Sequence, residues 1–71
     1  MKHLGSIPNR HHYDVLTLLK FNKDGHDTSD FVNLKEETLT KRGLDPAKWE
    51  LCWSEITYEY VVYAISKEEK E

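Results

Sequence analysis

The sequence predicts an α+β fold: a small antiparallel sheet of three or four strands packed on one short helix. Three observations carry that expectation. Two apolar-alternating stretches fill the second half, an Asp24-Gly25 turn signal follows a first apolar stretch, and Asn33 and Glu36 stand at capping-box spacing before a short helical segment. At 71 residues the chain is one domain, because so short a polypeptide buries only about 60% of its unfolded surface and has no core to divide.

The first element is Tyr13 to Phe21, YDVLTLLKF. Tyr13, Val15, Leu19 and Phe21 fall on one face and Leu16 and Leu18 on the other, a two-sided apolarity that suits a central strand. A helix is the competing reading, since Val15, Leu16 and Leu19 also fit a 3.6-residue period. Asn22-Lys23-Asp24-Gly25 then reads as a tight hairpin turn, from which His26 to Val32 would return as a short polar edge strand or loop. Asn33 would cap a helix over residues 34–42. Lys41 and Arg42 in its last turn favour the negative end of the dipole, and Gly43 supplies a left-handed stop.

Leu44-Asp45-Pro46 ends that helix, and five of the eight aromatics follow. Trp49, Leu51 and Trp53 alternate with Glu50, Cys52 and Ser54. Ile56, Tyr58, Tyr60, Val62 and Ala64 alternate with Thr57, Glu59, Val61, Tyr63 and Ile65. Asp45-Pro46 could also open a second helix, but ITYEYVVY is so rich in β-branched and aromatic residues that two strands are expected. Residues 1–10 read as a flexible arm, 11–66 as the folded domain and 67–71 as a charged tail.

Composition excludes several function classes. No apolar run approaches the roughly 18 residues of a membrane span, and the amino terminus lacks the apolar stretch of a signal peptide, so a cytoplasmic location is expected. One cysteine, Cys52, forms no internal disulfide and supplies no cysteine zinc cluster. His3, His11, His12 and His26 show no ligand spacing, and adjacent His11 and His12 would point to opposite sides of a strand. The three glycines, Gly5, Gly25 and Gly43, lie too far apart for a phosphate loop. No Ser-His-Asp or Cys-His pairing has supporting context, so no enzymatic activity, metal or cofactor is expected. Stability without a staple points to self-association, and a homodimer is expected because one chain this small offers little core for eight aromatics.

Charge placement is more informative than the formal net charge of −3. Residues 24–39 hold Asp24, Asp27, Asp30, Glu36 and Glu37 against Lys35, and Glu55, Glu59, Glu68, Glu69 and Glu71 crowd the end of the chain. Such a surface repels nucleic acid and attracts basic proteins; solvation and protection of strand edges are the simpler role for the same acids. Tyr58, Tyr60 and Tyr63 could stack bases, with Arg10, His11 and His12 as a basic arm, but Glu55 and Glu59 interrupt them.

Two resemblances point to small bacteriophage proteins. Leu39, Gly43-Leu44-Asp45-Pro46 and Trp49, followed by two strand-like runs, resemble a group of short phage proteins of unknown function, over about half the chain. Tyr13-Asp14-Val15, Leu18-Leu19, Asp24-Gly25 and Ser29-Asp30-Phe31 are similar in order to motifs of the dimeric uracil-DNA glycosylase inhibitors of Bacillus podoviruses. That second resemblance implies a dimer whose acids imitate DNA phosphates and whose apolar pocket captures the enzyme's base-probing side chain. Only Phe31 and Asp30 carry over by position. The gap between Asp-Gly and Ser-Asp-Phe is shorter here, Val32 stands where the family has a glutamate, and the segment after Leu44 is longer.

The expected function is thus a phage-type, non-enzymatic protein that binds and inhibits a host protein, most concretely a uracil-DNA glycosylase. Its binding residues would be Asp27, Asp30, Phe31, Glu36 and Glu37, with Glu55 and Glu59 as a second group. A small nucleic-acid-binding regulator and a phage structural subunit are the alternatives.

Overall fold

The computed structural model describes residues 1–5 and 9–69. One four-stranded sheet contains β1 (Lys2–His3), β2 (Val15–Asn22), β3 (Trp49–Glu55) and β4 (Glu59–Ser66) in the order β1-β3-β4-β2. A 3-10 turn over Thr28–Asp30 and a short helix, α1 (Glu37–Lys41), lie in the connection from β2 to β3. The expected combination of a small sheet with one short helix is therefore present in coarse form.

The sheet is mixed and not wholly antiparallel. β1 runs parallel to β3, with Lys2 opposite Cys52 and His3 opposite Trp53, and the Leu4 N–H donates to the Trp53 carbonyl at 2.8 Å. This start of the chain, which the sequence reading leaves outside the domain, thus joins the sheet. A two-residue strand has no periodicity to read, so its pairing is set by the edge it meets. Of the expected arm and tail, residues 6–8, 70 and 71 lie outside the described residues.

β2 occupies an edge of the sheet and not its centre. Its two-sided apolar pattern comes from an irregularity in the pairing with β4 between Thr17 and Leu19. Leu18 is the extra residue, and Leu18 and its neighbour Leu19 both pack against the same core cluster. Such a bulge also blunts an exposed edge, as does the outward Lys20.

The Asn22 to Gly25 segment turns, but no strand returns from it. Asn22 Oδ1 accepts from the Asp24 N–H at 2.9 Å, and the Asn22 carbonyl accepts from the Gly25 and His26 N–H groups at 3.1 and 3.0 Å. Gly25 does not adopt positive φ, so the conformation that makes Asp-Gly a hairpin signal is not used. Within His26 to Val32 the chain instead forms the 3-10 turn of Thr28–Asp30. Its capping box joins Asp27 and Asp30: Asp27 Oδ1 accepts from the Ser29 N–H at 2.9 Å, and Asp30 Oδ2 from the Asp27 N–H at 3.1 Å. The box expected at Asn33 and Glu36 does not form; Glu36 is itself the N-cap of α1 and its side chain caps nothing. Both pairs have the same spacing, and the one nearer the β2 turn closes.

The end of α1 follows the sequence closely. Gly43 has φ 77°, its N–H donates to the Thr40 carbonyl at 3.1 Å, and the Leu44 N–H donates to the Leu39 carbonyl at 2.9 Å. These two bonds satisfy carbonyls that the last turn leaves open, and they bring Leu44 against the fully buried Leu39. Asp45 then caps a single turn, accepting from the Ala47 N–H at 2.9 Å through Oδ1. The Trp49 N–H donates to the Asp45 carbonyl at 3.0 Å, and β3 begins there.

Phe31, Leu39, Leu51, Val62 and Ala64 form the core on one face, with Trp49, Trp53, Tyr60, Phe21 and Leu34 packed around them. The opposite face of β3 and β4 is also covered: Cys52, Ser54, Val61 and Tyr63 are buried. Leu4, Gly5, Asn9 and Tyr13 line a cleft with Cys52 and Ile65, so these described residues lie along that second face. Seven of the eight aromatics are buried or half-buried within one chain, Tyr58 being the exception. Burial of aromatics therefore does not require a second subunit.

Candidate functional site

The turn between β3 and β4 is built from Ile56, Thr57 and Tyr58, which the sequence reading assigns to a strand. The Ile56 N–H donates to the Glu59 carbonyl at 2.9 Å and the Glu59 N–H returns to the Ile56 carbonyl at 3.3 Å, closing a two-residue loop. Tyr58 is 73% exposed and Ile56 40%, while Glu55 and Glu59 flank them on the strand ends. An apolar pair is thereby held in water between two carboxylates.

Neighbouring elements meet this end and add charges of both signs. The Lys23 N–H donates to the Tyr58 carbonyl at 2.9 Å, and Lys23 Nζ lies 3.3 Å from a Glu55 carboxylate oxygen and 5.3 Å from the Tyr60 ring centroid. The Lys23–Glu55 pair is partly exposed and contributes little to stability. His26 packs edge-on to Phe21 at 5.3 Å and its Nδ1 is 2.9 Å from Asp30 Oδ2, which places the 3-10 turn at the same end of the sheet.

The expected site residues divide between two places. Asp27, Asp30, Glu55 and Glu59 gather at the hairpin end. Glu36 lies at the opposite end, lining a cleft with Trp49, Glu50 and Lys67, and Glu37 follows it in the exposed first turn of α1. Asp27 and Asp30 spend acceptor capacity on their own turn. Hydrogen bonds from the Ser29 hydroxyl, and then from its N–H, hold the Asp27 carboxyl below its ordinary pKa.

Phe31 is 1% exposed and cannot serve as a surface anchor in the folded chain. Its ring sits 5.4 Å from Phe21, 5.2 Å from Trp53 and 5.4 Å from Tyr60. Asp-Phe within a polar stretch looks like an exposed aromatic because the sequence does not show that the 3-10 turn folds back over the sheet. The exposed apolar side chains that stand beside acids are instead Ile56 and Tyr58. Their signal was legible, as two apolar residues bracketed by Glu55 and Glu59, but β-propensity masked the turn.

A base-stacking platform does not assemble from the tyrosines. Tyr63 is buried on one face, Tyr60 packs into the aromatic cluster of the other, and Tyr58 stands alone at the tip. Cys52 is buried, and loss of solvent pushes its thiol pKa up to about 11, so it stays protonated at neutral pH. His3 lies against the Trp53 ring at 4.2 Å.

Among the described residues no helix is long and apolar enough to cross a membrane. Comparisons with known protein families, with curated proteins and with solved structures found no match to this chain.

Proposed function

We propose that the chain is a non-enzymatic protein that docks on a basic protein surface through the β3–β4 hairpin tip. The observation that carries this reading is the exposed Tyr58 and Ile56 held between Glu55 and Glu59. Rim charges alone contribute little to affinity, whereas a tyrosine supplies a large apolar contact with a polar end. Carboxylates around it steer the encounter and make charge-assisted hydrogen bonds to lysine and arginine. Asp27 and Asp30 extend the acidic rim.

A groove that binds nucleic acid is the matching surface, because it carries concentrated positive charge and apolar or aromatic base-contacting positions. The most concrete target is a uracil-DNA glycosylase, for which the support is the motif order from Tyr13 to Phe31 described above. On the same ground the protein is phage-encoded and acts in the bacterial cytoplasm.

The test is inhibition of a purified uracil-DNA glycosylase by the wild-type protein at micromolar concentration, across a salt series. Inhibition that weakens as salt rises, and that Tyr58→Ala reduces by about tenfold or more, is the expected result. Absence of inhibition removes the glycosylase as target; inhibition indifferent to salt and to Tyr58 removes the hairpin tip.

A further inference from the structure

The end of the sheet opposite the hairpin tip carries a cleft of about 540 Å³. Its floor is apolar, formed by Leu34, Leu51 and the half-buried Trp49, and three lysines, Lys2, Lys35 and Lys67, stand on its rim with Glu36 and Glu50. The cleft and the tip are therefore opposite in character. One offers an indole and aliphatic floor under a rim with one more lysine than glutamate, and the other offers a tyrosine and an isoleucine beside Glu55, which Lys23 pairs, and Glu59.

We infer that the hairpin tip of one copy of this chain docks in the Trp49 cleft of a second copy, giving a head-to-tail association. A single molecule cannot make the contact. Trp49 pairs with Ser66 at one end of the β3–β4 ladder and Glu55 with Tyr60 at the other, so the seven residues of β3 separate the two surfaces by roughly 20 Å. The cleft is within the size range that takes a buried organic group, and among the phenylalanine, tryptophan and tyrosine rings Tyr58 is the one its own chain leaves in solvent. In the docked pair Glu59, and Glu55 beside its Lys23 partner, are brought to the side of the cleft that carries the rim lysines. The net charge of −3 opposes association only through the long-range field, which is screened beyond about 10 Å at about 0.1 M salt.

Such an interface is heterologous: different patches meet, and each added copy leaves one tip and one cleft open. Mass grows with concentration without stopping at a dimer. A tip seated in a neighbour is also hidden, so self-association competes with target binding. That last consequence rests on the functional reading above, while the association itself does not.

The experiment is sedimentation equilibrium of the full chain up to about 1 mM, a range that detects contacts as weak as about 4 kcal/mol. The wild type is expected to show a weight-average mass that rises steadily above 8.4 kDa and falls back when salt is raised from about 0.1 to about 1 M. Two variants each disable one end: Lys35→Glu with Lys67→Glu for the cleft, and Tyr58→Ser with Ile56→Ser for the tip. All four side chains are exposed, and circular dichroism confirms that each variant is folded. Each alone is expected to be monomeric. Their mixture is expected to form a capped one-to-one pair, since each contributes the end the other lacks. A monomeric wild type overturns the inference, as does a mass that levels at twice the monomer or a mixture that stays monomeric. Loss of glycosylase inhibition with these masses intact would count against the functional reading alone.

Discussion

Phe31 stacks on Phe21 with ring centroids 5.4 Å apart and planes 23° from parallel. The contact joins the connecting segment to the edge strand, and Trp53 and Tyr60 close around it from β3 and β4. Phe31 therefore acts through the fold. Phe31→Ala is expected to cost about 3–5 kcal/mol, most of the stability of a domain this size, and urea denaturation measures it. A cost below about 1 kcal/mol would return Phe31 to the surface.

Gly43 and Gly25 should respond differently to alanine. Each has open space where a Cβ would stand, but only Gly43 has positive φ. Gly43→Ala is expected to lose about 1–2 kcal/mol, while Gly25→Ala stays within about 0.5 kcal/mol of wild type. Denaturant midpoints of the two variants decide this, and equal losses would contradict the assigned backbone.

Acid should act partly through Asp27. Its carboxyl is held below the ordinary value of 3.8 in the folded state by the Ser29 hydroxyl and N–H, so its contribution is complete above that pH and is lost as pH falls through the lowered folded value. Asp27→Asn keeps an acceptor for Ser29 but removes the titration. Denaturation midpoints of the variant should fall less steeply than those of wild type below about pH 4. Parallel curves would contradict the cap.

Cys52 should resist thiol reagents in the folded protein. Burial raises its pKa to about 11 and leaves it 1% exposed, so labelling at neutral pH requires opening of the sheet. The labelling rate should rise with urea in step with the loss of folded protein. Rapid labelling in buffer would mean that the face on which Leu4 and Tyr13 lie beside Cys52 is open.

How much of this was legible in the sequence differs by element. The β3 and β4 ladders follow from the alternation of Trp49 to Ser54 and Tyr60 to Ile65, and the stop at Gly43 follows from residue type alone. The bulge at Leu18 converted one apolar pattern into the appearance of a central strand, because a period of two cannot show an inserted residue. The parallel strand at Lys2–His3 had no local signal. The Trp49 cleft was hidden for that reason, since Lys2, Lys35 and Lys67 come together only through it, the connection and the end of β4. The acids were readable as acids, but their division between two ends of the sheet depends on the long-range pairing of β2 with β4.

The claim that the β3–β4 tip is the interaction surface is tested most directly by amide chemical-shift mapping of the labelled protein on addition of unlabelled uracil-DNA glycosylase, at a concentration where the free protein is monomeric. The expected result is that the largest changes fall on Glu55 to Glu59 and on Lys23 to Asp30, with Leu34 to Glu37 unmoved. Changes centred on Leu34 to Glu37 or on Arg10 to Tyr13, or no changes at all, would contradict it.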